Sequence, residues 1–142
     1  MDKFIIRGGN ALKGSVTISG AKNASLALMP ATMLCRGVCR LENTPRLRDI
    51  ATMSNLLETM GVVIRHPGTT IELDTSNVNS WEAPYDLVKK MRASFYVLGP
   101  LLGRYGQARV SYPGGCAWGP RPVDLHLKAL QQLGAEIEID SG

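Results

Sequence analysis

The sequence predicts an α/β fold made of two copies of one helix-and-strand unit, and three observations carry that reading. Residues recur at a fixed spacing: Ala24-Ser25 with Ala93-Ser94, Gly37 with Gly106 and Leu41 with Val110 all lie 69 apart. Leu57 with Leu130, Gly61 with Gly134 and Ile64 with Ile137 lie 73 apart. Self-similarity over such a period marks a repeated structural unit. Within each copy the apolar residues also change period, from helical spacing to strand alternation. Finally, the growth of the offset means that the second copy gains four residues between about Tyr112 and Leu127. A scaffold that repeats itself except at one insertion is expected to carry function in that insertion.

The elements follow in order. Residues 14–19 alternate as a strand, 24–34 form an apolar helix and 38–42 a short strand. Residues 47–60 form an amphipathic helix, with Leu47, Ile50, Met53, Leu56, Leu57 and Met60 at helical spacing. Asp49 suits its first turn, where a carboxylate meets the positive end of the helix dipole. Gly61 ends it. Residues 62–65 and 70–73 pair as a hairpin around His66-Pro67-Gly68-Thr69. The second copy has a helix over 92–103, a strand over 108–112, the insertion, a helix over 123–133 and a strand over 136–140. Residues 85–91 read two ways. Their own pattern is helical, with Pro84 at a first helical position, whereas the repeat sets them opposite a strand. The repeat stops where the first copy would turn into its last strand, so the second copy is expected to be incomplete.

Composition bounds the rest. The chain has 142 residues, 44% hydrophobic and 20% charged, which is enough for one ordinary domain with a core. No apolar run reaches membrane-spanning length, and the longest is broken by Pro30. Met1-Asp2-Lys3-Phe4 lacks the layout of a signal peptide. Three cysteines do not suggest a disulfide framework, so a cytoplasmic, reducing compartment is expected. The net charge of +4 suits anionic small molecules. No basic run with interleaved aromatics supports nucleic-acid binding. Cys35 and Cys39 sit in apolar contexts as core residues, and no second Cys or His pair completes a zinc pattern.

The insertion reads Pro113-Gly114-Gly115-Cys116-Ala117-Trp118-Gly119-Pro120-Arg121-Pro122. Glycines let a loop approach a ligand closely and prolines keep it out of regular structure. A cysteine presented there, near a fixed cation, is more acidic and more reactive than a buried one; the competing reading is an incidental surface thiol. Lys22, Arg92 and Arg121 each stand near a predicted helix start. A cation there opposes the dipole at a cost of roughly 0.3–1 kcal/mol, which a bound anion would reverse. Three such residues suggest a phosphate or carboxylate site, and each alone also reads as a solvated surface residue. Ser19 or Asn23 would cap the first helix. His126 reads as a helix-surface or core residue, with a catalytic-base role as the alternative. His66 reads as a turn residue, and Trp118 as a ligand cover or a loop anchor.

The run Ser19-Gly20-Ala21-Lys22-Asn23, the stretch from Ala83-Pro84-Tyr85-Asp86 to Arg92-Ala93-Ser94, and the insertion continued to His126 together resemble the UDP-N-acetylglucosamine enolpyruvyl transferases, of the EPSP synthase-like family. The resemblance runs the length of the chain and covers about the first third of such an enzyme. It implies an inside-out α/β barrel of tandem βαβαββ-type repeats. Residues 1–21 would be a strand arm belonging to the other domain, and 22–142 a partial transferase domain, with repeat one over about 22–82 and an incomplete repeat two over about 83–142. It also implies transfer of the enolpyruvyl group of phosphoenolpyruvate to the 3′-hydroxyl of UDP-N-acetylglucosamine with release of phosphate, the first committed step of peptidoglycan synthesis. No metal and no cofactor would be required.

Carried over by position, Lys22 and Asn23 would hold phosphoenolpyruvate and act in catalysis. Arg92, Arg121, Pro122, Val123, Asp124 and Leu125 would hold UDP-N-acetylglucosamine, with Arg121 shared between the substrates. Cys116 would be the proton donor, able to form a covalent adduct and to be alkylated by fosfomycin. Arg48 stands where the family often has lysine. The family's later carboxylates and arginines fall outside this chain, so the chain alone is expected to be an incomplete enzyme. The alternatives are a non-catalytic UDP-sugar-binding module, or a structural fragment that self-associates through an uncovered apolar face.

Overall fold

The computed structural model describes residues 3–89, 91–112 and 122–140. The first copy folds around helix α1 (Lys22–Ala31), a 3₁₀ turn (Thr32–Leu34), strand β1 (Val38–Leu41), helix α2 (Arg48–Thr59), and strands β2 (Val63–Arg65) and β3 (Ile71–Asp74). β3 lies between β1 and β2 and is antiparallel to both, with Cys39 opposite Leu73 on one side and Ile64 opposite the same residue on the other. Ile71 and Leu73 turn to the helices and are fully buried, as the alternation of strand side chains requires. From α1 come Leu26 and Met29, from the 3₁₀ turn Met33, and from α2 Ile50, Met53, Leu56 and Leu57, with Met60 behind them. Leu47 stays out of this core because it occupies the N-cap of α2 with extended backbone and is 46% exposed.

The second copy adds strand β4 (Glu82–Ala83), a single turn α3 (Tyr85–Val88), a 3₁₀ helix (Arg92–Val97), helix α4 (Leu98–Tyr105), strand β5 (Arg109–Val110) and helix α5 (Asp124–Gln132). β4 and β5 pair in parallel. Residues 85–88 are therefore helical, as their own pattern reads, with Pro84 at the N-cap and not inside the helix. Val88, Val97 and Leu101 join the same core as the first copy.

The repeat is visible in hydrogen bonds. α2 ends with Gly61 N–H on the Glu58 carbonyl at 3.0 Å and Val62 N–H on the Leu57 carbonyl at 3.1 Å. α5 ends the same way 73 residues later, Gly134 on Gln131 at 3.0 Å and Ala135 on Leu130 at 3.0 Å. Both glycines are left-handed, at φ +94° and +96°, the conformation that closes such a helix end. The helices before Gly37 and Gly106 are less alike. The first runs α then 3₁₀, the second 3₁₀ then α. Each contains one proline: Pro100 falls in the first turn of α4, where proline is tolerated, whereas Pro30 lies inside α1 and removes one of its backbone hydrogen bonds just before the 3₁₀ turn.

Two expected strands do not form. Residues 3–19 carry no helix or strand and are exposed throughout, and residues 136–140 likewise lack a strand. A strand needs a ladder partner for its backbone groups, and β5, the nearest sheet edge in sequence, is two residues long.

Candidate functional site

Lys22 is the first residue of α1, and α1 packs on α2 so that the two helix starts meet. The Lys22 ammonium lies 2.6 Å from the Asp49 carboxylate in the first turn of α2. Asp49 therefore answers the charge that a lysine brings to a helix N-terminus, and it is also well placed for its own helix dipole. Neither Ser19 nor Asn23 caps α1. Ala21 takes the N-cap position without a side-chain bond, so the capping expectation fails. The segment is fixed instead by Asn43, whose Oδ1 accepts the Gly20 N–H at 3.0 Å. Approach there is so close that a Cβ on Gly20 would sit 1.6 Å from the Asn43 carbonyl oxygen. Asn43 itself is left-handed at φ 52°, a conformation asparagine tolerates better than most residues. Asn23 lies beside Lys22 with its side chain exposed.

A second group forms across the other copy. Arg92 opens the 3₁₀ helix, and its guanidinium reaches the Pro122 carbonyl at 3.4 Å. Arg92 thus meets the segment 122–125 that leads into α5. Val123 is 3% exposed, so its side chain packs inward and only its backbone could face a ligand. Asp124 sits in the first turn of α5 and is exposed; Leu125 is 73% exposed. His126 is exposed too, its ring edge-on to Phe95 at 6.1 Å between centroids. Before this group, Lys89 pairs with Asp86, and that bond raises the lysine above its usual range. Cys116, Trp118 and Arg121 lie outside the described residues, as does most of the insertion.

Three residues, Asp49, Asn43 and Arg104, make contacts that sequence reasoning did not show. Asp49 was read only against its own helix dipole, although a lysine at a helix start calls for an anionic partner. Asn43 gave no sign beyond a turn-forming residue before a proline. Arg104, near the end of α4, donates to the carbonyls of Met33 at 2.8 Å, Cys35 at 2.6 Å and Thr75 at 3.2 Å, tying the second copy to the first. Cys35 is exposed and Cys39 half-buried, so neither is the core residue expected. The turn after the 3₁₀ segment carries Cys35 outward, and Cys39 lies on an edge strand. His66 does sit in the hairpin turn, where Arg46 bonds its carbonyl at 2.7 Å. A cleft of about 900 Å³ opens between β5, α4, α5 and residues 135–140, and neither Lys22 nor Arg92 lines it. Among the described residues no group of three His, Cys, Asp or Glu could hold a metal, and no helix is long and apolar enough to cross a membrane.

The sequence family described as EPSP synthase (3-phosphoshikimate 1-carboxyvinyltransferase) matches residues 6–142. The chain belongs to the EPSP synthase family. Members similar to it over all of its length include proteins named UDP-N-acetylglucosamine 1-carboxyvinyltransferase. That of Prosthecochloris aestuarii is 55% identical, with the chain covering 34% of it, and that of Rhodospirillum centenum 59% identical, with 35% covered. The chain thus spans about a third of the length of the curated relatives it matches. Among solved structures, the enolpyruvyl transferase NikO from Streptomyces tendae superposes with a TM-score of 0.78 at 27% identity, over 94% of this chain and 29% of that one. The fold is accordingly the inside-out α/β architecture of the EPSP synthase family.

Proposed function

We propose that this chain contributes part of the substrate site of an enzyme that transfers the enolpyruvyl group of phosphoenolpyruvate to the 3′-hydroxyl of UDP-N-acetylglucosamine. The observation that carries the reading is the similarity over all of this chain, at 55–59% identity, to proteins named for that sugar and that transfer. The geometry supports it through basic side chains at two helix starts: Lys22 held by Asp49, and Arg92 against the strand-to-helix segment at Pro122. Free N–H groups and a cation at a helix start favour phosphate and carboxylate together.

On this reading Lys22 and Asn23 hold phosphoenolpyruvate, the ammonium on its anionic groups and the amide beside it. Arg92 and residues 122–125 hold the UDP-sugar, and Arg121 touches both substrates. The sugar hydroxyl adds to the phosphate-bearing carbon of the enol and loses its proton, which ends on the phosphate that leaves, while Cys116 gives a proton to the methylene carbon. Elimination then expels phosphate, the methylene carbon returns a proton, and the double bond reforms. A positioned acid of this kind contributes about 10²–10⁴-fold. The same thiol, as a nucleophile, would form the covalent adduct with phosphoenolpyruvate and take up fosfomycin. The reaction serves peptidoglycan synthesis, and with it cell shape and division, in the cytoplasm.

A second reading is favoured by one fact, that the relatives are about three times as long. It makes the chain by itself a UDP-sugar-binding module without turnover, or a structural fragment. The deciding test uses the chain both alone and continued to the length of its relatives. The continued protein should release phosphate only when both substrates are present, and Cys116→Ala should lower that rate by about 10²-fold or more. No release from the continued protein sinks the proposal. Calorimetry on the 142-residue chain with UDP-N-acetylglucosamine separates a binding module from a structural fragment.

A further inference from the structure

The two copies differ at one place in the sheet layer. In the first, β3 lies between β1 and β2 and is antiparallel to both. In the second, the counterparts of β1 and β2 are β5 and residues 136–138, at the spacings of 69 and 73. Among the described residues no strand lies between them, and the cleft of about 900 Å³ opens there. Its apolar wall repeats the first core. Leu98, Leu102 and Leu130 line it, at the positions of Met29, Met33 and Leu57. The three first-copy residues share a cluster with Ile71 and Leu73 of β3 and are fully buried, whereas the three leucines are half-buried. The backbone is open there as well. Arg109 and Ser111 give their N–H groups to the carbonyls of Trp81 and Ala83, at 2.9 and 3.2 Å, so alternation along β5 turns the Val110 groups toward its other edge. An unpaired strand edge beside an apolar wall is suited to an added strand.

We propose that residues 16–19 of a second copy of this chain enter the cleft as its middle strand, antiparallel to β5 and to residues 136–138 as β3 is to β1 and β2. Three observations select this occupant. Val16-Thr17-Ile18-Ser19 has the alternation of Ile71-Glu72-Leu73-Asp74. Val16 and Ile18 would therefore cover the leucines from one face of the strand, as Ile71 and Leu73 do in the first copy; the run Phe4-Ile5-Ile6 does not alternate. The charges are complementary. Residues 3–19 carry Lys3, Arg7 and Lys13 and no carboxylate. Glu82, Glu136 and Glu138 line the cleft, and Arg109 is the one cation among its described lining residues. Opposite charges of this kind set partner and register more than raw affinity. Finally, the arm comes from another molecule. In their own chain residues 3–19 are exposed throughout and line no part of the cleft, and the Gly20 N–H holds their end on Asn43.

Mixing two variants of the 142-residue chain tests this by sedimentation velocity, with a reductant present so that thiols do not link copies. Val16→Asp with Ile18→Asp disables the arm. Both residues are exposed, at 81% and 76%, so the urea midpoint should hold. Ile137→Asp disables the cleft from within, and Glu136→Lys with Glu138→Lys reverses its charge from exposed positions. The arm variant alone should associate roughly hundredfold more weakly than the unaltered chain, and the charge-reversed variant roughly tenfold more weakly. An equimolar mixture of the arm variant and a cleft variant that has its own arm should place only one arm, in the one intact cleft. With Ile137→Asp as that partner, a one-to-one heterodimer should form that neither variant gives alone. The glutamate pair carries the test should Ile137→Asp fail to fold, because the arm variant's association must then exceed its own when the charge-reversed chain is added. Undiminished association of the arm variant would overturn the proposal. So would a mixture that stays monomeric while both variants keep the unaltered urea midpoint. A chain monomeric at every concentration, with its urea midpoint lowered by the arm substitutions, would put the arm in its own cleft and overturn it too.

Discussion

Lys22 and Asp49 are both about two-fifths exposed, so their ion pair adds only about 0.2–1 kcal/mol to stability. Its consequence is positional, since it fixes an ammonium at the start of α1. Asp49→Asn should therefore leave the urea midpoint nearly unchanged. On the proposed function, in the protein continued to the length of its relatives, it should lower kcat/KM for phosphoenolpyruvate about tenfold or more, because displacing an ammonium from the substrate it would hold costs that much. An unchanged kcat/KM would show that Asp49 does not position Lys22. Gly20→Ala tests the neighbouring contact from the stability side. Its Cβ would fall 1.6 Å from the Asn43 carbonyl oxygen, and such overpacking costs about 1–3 kcal/mol. Gly8→Ala, with nothing within 4 Å, is the matched control and should be neutral in the same urea titration. Sequence made Lys22 conspicuous because a cation at a helix start is electrostatically odd. It could not show Asp49 as the partner, which lies 27 residues away and has an ordinary reason of its own to be there.

Elements with a strong period of their own were legible. α2 falls at Arg48–Thr59 with Ile50, Met53, Leu56 and Leu57 buried, as its spacing requires, and the hairpin of β2 and β3 stands where two alternating runs flank Pro67-Gly68. Elements that depend on a neighbour were not legible: residues 14–19 alternate like a strand yet form none, because alternation prepares a face and does not supply a ladder. The link between the two copies was equally invisible, since Arg104 acts through backbone carbonyls that any sequence provides. Its three bonds reach Met33, Cys35 and Thr75. Hydrogen bonds from a charged donor are worth about 1.5–3 kcal/mol each and do not add fully, so Arg104→Met should cost about 2–4 kcal/mol. Arg104→Lys should recover only part of this, as a point charge cannot span the carbonyls that a planar fork does. Urea denaturation of both variants checks the order; equal stability of wild type and Arg104→Met would mean that the seam is held by packing alone.

At the scale of the molecule, one well-packed core coexists with a large apolar surface that it does not cover. Met29, Met53, Leu56, Ile71 and Leu101 are fully buried, whereas Phe4 is 94% and Leu12 96% exposed, and Ile5, Ile6, Val16 and Ile18 are exposed beside them. Burying one such side chain is worth about 1.5–3 kcal/mol, and this many exposed apolar side chains along one segment favour association. Val16 and Ile18 also lie two apart, on one face of any strand they form, with unpaired backbone groups available for edge-to-edge pairing. The 142-residue chain should therefore associate with itself in a concentration-dependent way. Sedimentation velocity over a hundredfold dilution series would show the mean sedimentation coefficient falling toward that of a monomer. The double substitution Ile5→Ser with Ile6→Ser should shift this transition to higher concentration and leave the urea midpoint unchanged, because neither side chain contributes to the core. A chain that sediments as a monomer at every concentration would mean that the arm covers its own apolar residues by folding back, and the same double substitution would then lower the urea midpoint.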